Sequence, residues 1–412
     1  MLDLSRYIRA GDGVWWGQGA AEPEPLVNLL LDQVDAIGGV RAFCGLTWNE
    51  RLAGQLPESL TVTSYGGLGE LRRLSREGLL GVVPCHYSAL PRMFAAGQLP
   101  SDVGLLQVSP PDRDGTVSLG IGVEYVADAL AHTPVLIAEI NRRMPATVGT
   151  ARLPLSAFAA TVETDRSLRE APVRAVSGVE RRIAGHVAEL INDGATLQIG
   201  VGSLPSAVLE SLGGHIDLGI HTGMITDGVI DLIDRGVVTG SKKEIDRGKV
   251  VTGAALGSTQ MYERLSDYPV EFRQASYTHS STVLSSLRSL VTINSAIEVD
   301  LLGQVGAELR RGVHVGAVGG QVDFSRVAAL TGSMSIIALR SESGGESTVR
   351  AKLQSAVVTT GRADVDAVVT EHGAARLTGC TVAERARRLI DVAAPRHREG
   401  LERSFAVSEI WS

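Results

Sequence analysis

Short runs rich in Val, Ile and Leu alternate along the chain with longer stretches of helical period. The runs "TPVLIAEI" (133–140), "ATLQIGVG" (195–202), "IDLGIHTG" (216–223), "GKVVTGAALG" (248–257) and "MSIIALRS" (334–341) are nearly continuous in apolar character. Strands buried on both faces read this way, and helices such as "VERRIAGHVAELIND" (179–193) separate them, so the pattern predicts α/β architecture with largely parallel sheets. A last helix is expected in "GCTVAERARRLIDVA" (379–393), where Thr381 and Glu384 have capping-box spacing. The polar stretch "DRSLREAPVRAVSGVERR" (165–182) divides the chain into an expected N-terminal lobe, 1–180, and a C-terminal lobe, 181–412. The two parts echo each other weakly. Residues 105–126 and 290–309 each run strand, polar turn, glycine and apolar segment.

Composition narrows the class. With 412 residues, 44% hydrophobic and 21% charged, the chain can bury sizeable cores. A formal net charge of −7 disfavours nucleic acid as a partner, while leaving room for a local basic pocket. No apolar run reaches the roughly 18 residues of a membrane span, and the start "MLDLSRYIRAGDGVWW" has no apolar core behind basic residues, so a cytoplasmic protein is expected. Cys44, Cys85 and Cys380 are odd in number and far apart, which argues for reduced thiols. The nine histidines include no H-x-x-x-H or H-E-x-x-H pair, and no metal site is expected.

Two glycine-rich loops are the first candidates for chemistry. In "LQIGVGSLPSAVLESL" (197–212), Gly200 and Gly202 close a strand and Pro205 opens a helix. Free N–H groups at such a helix start suit a phosphate or carboxylate. A dinucleotide reading fails, because the pattern is G-x-G-x-x-P and the ribose-binding position falls at His221–Thr222, with no acid. A tight turn with no ligand remains the plain alternative. The second loop, "GVHVGAVGGQVDF" (312–324), has four glycines in nine residues, followed by Gln321 and Asp323. Its N–H groups could converge on an oxyanion, or the loop could be a turn joining strands.

Taken together, "GLLQVSPPDRDGTVSLG" (104–120), "DGATLQIGVGSLP" (193–205), "LGIHTGMITDGV" (218–229), "VTINSAIEVDLLGQV" (291–305), "VGGQVDF" (318–324), "SIIALRS" (335–341) and "ADVDAVVTEHGAARLTG" (363–379) resemble the acetyl-CoA hydrolase and 4-hydroxybutyrate CoA-transferase family in order and spacing. The resemblance covers most of the chain. It implies two open α/β lobes, an acyl-CoA site in the cleft between them, coenzyme A as part of the substrate, and a homodimer. It also implies that the residue between "HT" and "M" is a glutamate that attacks the acyl thioester and carries CoA as a glutamyl thioester. In this sequence that residue is Gly223. Glycine has no atom to acylate, so the covalent shuttle cannot run at position 223.

What survives, by position in the resemblance, is the oxyanion loop at Gly319 and Gly320, with Gly316 and Gln321 beside it, and "INSAIE" from Asn294 to Glu298. The first-lobe pattern P-x-F-x-S-E-x-P stands here as "PCHYSALP" (84–91), and the usual "ALPST" as "ALRSES" (338–343), with Arg340 in place of proline. Four side chains are candidates for a substitute catalytic role: Cys85 as nucleophile, His86 as base, Glu298 as the acid of a retained motif, and His221 on the strand that leads to Gly223. Each has a structural alternative, a packed cysteine, a hydrogen-bonded histidine, a buried acid or a positioning imidazole. Gly200, Gly202, Gly223, Asn294, Gly316 and Gln321 are the expected contacts to the acyl-CoA. The expected activity is direct acyl transfer or hydrolysis by a nucleophile seated beside the thioester. Two rivals are a conventional transferase or hydrolase using another acid, and an inactive acyl-CoA-binding subunit.

Overall fold

The computed structural model describes residues 2–172 and 174–407. They form two compact units, one of residues 2–171, 251–280 and 313–319, the other of residues 172, 174–250, 281–312 and 320–407.

The first unit is built on seven strands: β1 (Gly13–Trp16), β2 (Val40–Phe43), β3 (Leu60–Ser64), β4 (Leu80–Val82), β5 (Val103–Val108), β6 (Val135–Asn141) and β7 (Ala160–Thr164). Their spatial order is β4-β3-β2-β1-β5-β6-β7, and every neighbouring pair is parallel. Parallel strands must be covered on both faces, and "GVWW" shows how the sequence achieves this. Val14 and Trp16 face the cluster that includes Leu26, Val27 and Leu30 of α1 (Glu24–Ile37), while Trp15 turns the other way onto Phe94 and Tyr125. Strand order reverses next to β1. In open α/β sheets, ligands bind beyond the carboxyl ends of the strands at such a point.

The second unit carries β8 (Thr196–Ile199), β9 (Gly219–Ile220), β10 (Leu290–Ser295), β11 (Met334–Ala338), β12 (Ala367–Thr370) and β13 (Gly373–Arg376). They are ordered β9-β8-β10-β11-β12-β13, with only the β12–β13 pair antiparallel. The expected run 216–223 is extended only over β9, with His221 in bridge pairing after it. Asp217, ahead of the strand, takes a positive φ of 57° and delays the start of the extended geometry. The helices of this unit include α2 (Gly178–Ala188), α3 (Ser203–Ser211), α4 (Asp227–Asp234), α5 (Gln321–Thr331) and α6 (Val382–Asp391). The Thr381–Glu384 capping box forms as its spacing predicts, and Leu389 and Ile390 of α6 pack on Ile337 and Val368. Here the order reverses around β8, whose carboxyl end carries Gly200 and Gly202.

Among the described residues, no helix is long and apolar enough to cross a membrane. No group of three or more His, Cys, Asp and Glu among them is arranged to hold a metal ion. Among the described residues no disulfide joins the cysteines, and Cys44 is buried.

Candidate functional site

In the second unit the carboxyl ends of β8, β9 and β10 bring several of the expected residues together. Thr222 closes its hydroxyl onto the Ile199 carbonyl at 3.0 Å, fixing the Gly223 turn beside the Gly200–Gly202 turn. Gln198 and Asn294, on adjacent strands, exchange amide hydrogen bonds at 3.0 and 3.2 Å, and both are buried. His221 is fully buried at the end of β9. Beneath it lies a buried lysine that pattern reading missed. The Lys243 ammonium donates to the Ile220 carbonyl at 3.0 Å and the Lys249 carbonyl at 2.8 Å. Gly219 leaves the passage for it, since a Cβ there would lie 2.6 Å from Lys243 Cγ.

The Gly200–Gly202 turn has its own support. Gly202 takes a φ of +121° as the residue capping α3, a conformation that favours glycine. At the first residue of α3, the Ser203 hydroxyl donates to Glu180 at 2.6 Å. Arg340, the residue that stands in place of proline, pairs with the same Glu180 oxygen at 2.9 Å. Burial would raise the Glu180 carboxyl, but hydrogen bonds from Ser203 and Ser177, with Arg340 adding, bring it down to about 2. Arg340 therefore belongs to a charged clasp on the glycine turn.

Glu298 is buried, and its carboxylate accepts the backbone N–H groups of Ser355 at 2.8 Å and Gln354 at 3.2 Å. Those bonds hold the segment that runs to Thr360, whose hydroxyl accepts from Gln321 Nε2 at 2.9 Å. Gly320 is the capping residue of α5, so the helix begins at Gln321.

The remaining expected residues lie in the first unit. The segment from His314 to Gly319 runs against two stretches that come after β3 and β4. Gly67 N–H donates to the Gly316 carbonyl at 3.1 Å, and Tyr87 N–H to the Gly319 carbonyl at 2.9 Å. His86 and Gly319 are bridge partners. The approach is too close for side chains: a Cβ on Gly67 would lie 2.1 Å from the His314 carbonyl, and one on Gly66 2.4 Å from Ala317 Cβ. Gly319 takes a φ of +54°, and its would-be Cβ would meet only Ala317 Cβ, at an ordinary 3.9 Å. The three residues alternate in exposure, with Cys85 half-buried, His86 exposed and Tyr87 buried.

Beneath these stretches is a polar cluster that the sequence did not single out. Glu124 is 2% exposed, and its Oε2 accepts from Gln18 Nε2 and from the Tyr87 hydroxyl. Gln18 Oε1 in turn accepts from the Tyr65 hydroxyl at 2.7 Å and Leu46 N–H at 2.8 Å. Burial lifts the Glu124 carboxyl to about 7, against the lowering effect of the Tyr87 and Gln18 bonds. Glu22, also buried near the end of β1, is lifted to about 8 by the same desolvation. A glutamate inside the apolar "LGIGVEYV" (119–126) is the sequence signal that could have found the cluster.

Comparison with known proteins adds a second line of argument. The model of the acetyl-CoA hydrolase/transferase N-terminal domain matches residues 3–165, and that of the C-terminal domain matches residues 257–405. The 4-hydroxybutyrate coenzyme A transferase of Clostridium kluyveri is 39% identical over 342 residues, 82% of this chain and 80% of the relative. The succinyl-CoA:acetate/propanoyl-CoA:succinate CoA transferase of Fasciola hepatica is 34% identical over 97% of this chain and 85% of the relative. Among solved structures, RipA from Yersinia pestis superposes with a TM-score of 0.90 at 32% identity, covering 98% of this chain and 95% of that one.

Proposed function

Because the chain belongs to the acetyl-CoA hydrolase/transferase family, and is on that ground an acyl-CoA-dependent transferase or hydrolase, we propose that it works without the glutamyl-CoA shuttle and passes the acyl group directly to a bound nucleophile. The observation that carries this reading is Gly223, a residue with no nucleophilic atom in an otherwise retained "HT-MITDG" segment. Acyl-CoA is the substrate, and the Gly319–Gly320 turn donates N–H groups to the oxyanion that forms when the thioester carbonyl is attacked. If water is the nucleophile, its oxygen bonds to the carbonyl carbon, the carbon–sulfur bond breaks, and the two protons pass to the departing thiolate and to solvent. His86 is the base we assign to that step, because it is exposed and its backbone is paired with Gly319. His221, buried behind Gly223, positions the turn. On the resemblance, we assign Gly200, Gly202, Asn294, Gly316 and Gln321 to CoA contacts.

The rival in which another acid resumes the shuttle is weakened at Glu298, whose carboxylate is occupied by two backbone N–H groups. The functional state we propose is a homodimer in the cytoplasm. Calorimetry with CoA and a panel of acyl-CoAs tests the reading, with binding expected for several acyl-CoAs. Absence of binding to all of them would overturn it.

A further inference from the structure

We infer that Glu124 is a positioning residue for the Gly316–Gly319 turn, acting through Tyr87 and Tyr65. The inference rests on the proposed role of that turn in the reaction, but its structural content stands apart from it.

The two hydroxyls that converge on the Gln18–Glu124 pair belong to Tyr65 and Tyr87. Each tyrosine is joined to a stretch that grips the turn. Gly66, directly after Tyr65, is a bridge partner of Ala317, and Gly67 donates to the Gly316 carbonyl at 3.1 Å. Tyr87 itself donates its backbone N–H to the Gly319 carbonyl at 2.9 Å. One buried carboxyl and one buried amide therefore hold, from below, both supports of the glycine turn. Gln18 comes after β1, Leu46 after β2, Tyr65 after β3 and Tyr87 after β4, so the cluster ties together the carboxyl ends of four parallel strands.

A second observation separates this cluster from ordinary core satisfaction. Glu124 has a φ of +24°, a left-handed conformation that costs an L-residue energy and is kept only where the surroundings impose it. Strain at a buried acid whose Oε2 accepts from both Gln18 and Tyr87, beneath a glycine turn, is what a device for fixing backbone position requires. The chemistry demands such a device, since a misplacement of about 1 Å at a reacting group can cost about a hundredfold in rate. The ring of Tyr87 is further confined by His279, with centroids 4.8 Å apart.

Amide hydrogen exchange on the full-length protein reads the effect without depending on turnover. The variants are Glu124→Leu, Glu124→Gln and Tyr87→Phe. Exchange at the Tyr87 amide and through residues 313–320 is expected to quicken about tenfold or more in Glu124→Leu and Tyr87→Phe, while β6 keeps its protection. Glu124→Gln retains an acceptor for the Tyr87 hydroxyl and is expected to rescue protection to within about threefold of wild type. Unchanged protection at Tyr87 in a folded Glu124→Leu protein would overturn the inference, as would loosening of β6 to the same degree, which marks a general structural role. If Glu124→Leu does not fold, Tyr87→Phe decides by the same criteria. Acyl-CoA calorimetry on wild type judges the functional reading separately, so failure of one leaves the other standing.

Discussion

In the proposed chemistry, position 223 decides which reaction the chain performs. Gly223 is outside the left-handed region, so its backbone conformation does not disfavour an L-side chain. Gly223→Glu is therefore expected to fold and to gain acetate-dependent CoA transfer of about tenfold or more over wild type, since placing an attacking group commonly lowers a barrier by several kcal/mol. Coupled assay of acetyl-CoA formation checks this; a folded variant that binds acyl-CoA but gains no transfer would place the change in function elsewhere, with Cys85, His86 and Arg340 next in line. Glu124 sets a second expectation. Its carboxyl is raised from 4.5 to about 7 in the folded protein, so the stability it contributes is fully present below pH 4.5 and is lost as pH rises through 7. Denaturant titrations of wild type between pH 4.5 and 7 should show this loss, on the order of 3 kcal/mol, and Glu124→Gln should flatten it. Glu22, raised to about 8, adds a slope of the same sign in both proteins. At this scale the glycine turns were legible because few residues besides glycine take φ values such as those of Gly202 and Gly319. The Gln18–Glu124 pair was not, because its partners lie 106 residues apart and the one local mark, a glutamate in an apolar stretch, does not reveal its partner.

Among the elements, β9 is short, and the turn beyond it depends on support from below. Lys243 is fully buried and bonds the Ile220 carbonyl just before His221, Thr222 and Gly223. Lys243→Met would keep the volume but leave the Ile220 and Lys249 carbonyls without that donor, and is expected to cost about 2 kcal/mol of stability by chemical denaturation. A loss under about 0.5 kcal/mol would show that the lysine does not carry the strand. The strands and α6 were readable as elements because apolar runs and a capping box are local signals. Lys243 was not, since burial of an ammonium on two carbonyls arises from tertiary packing alone. The Arg340–Glu180–Ser203 clasp was half legible. Arg340 stood out against the resemblance, but its partner lies 160 residues earlier in the sequence and appears only in the fold.

For the whole molecule, each unit is built on an open, largely parallel sheet whose strand order reverses beside its first strand, and each presents glycine turns beyond its carboxyl ends. The α/β class and the parallel sheets were evident from apolar runs long enough to be buried on both faces. The path of the chain was not, because residues 251–280 and 313–319 belong with the first unit although they come after long stretches of the second. Such returns are set by packing and leave no mark in composition or period. Central to the proposed chemistry is that acyl-CoA is consumed without a CoA-bearing acid on the enzyme. The direct measurement is to incubate the protein with a panel of acyl-CoAs, with and without acetate, and follow free CoA, the acyl product and the intact protein mass together, with borohydride trapping. Release of CoA and an acyl product, with no CoA adduct on the protein and no dependence on acetate, is the expected result. A CoA adduct mapped to any acid of the chain, appearing and clearing at the rate of turnover, would contradict it.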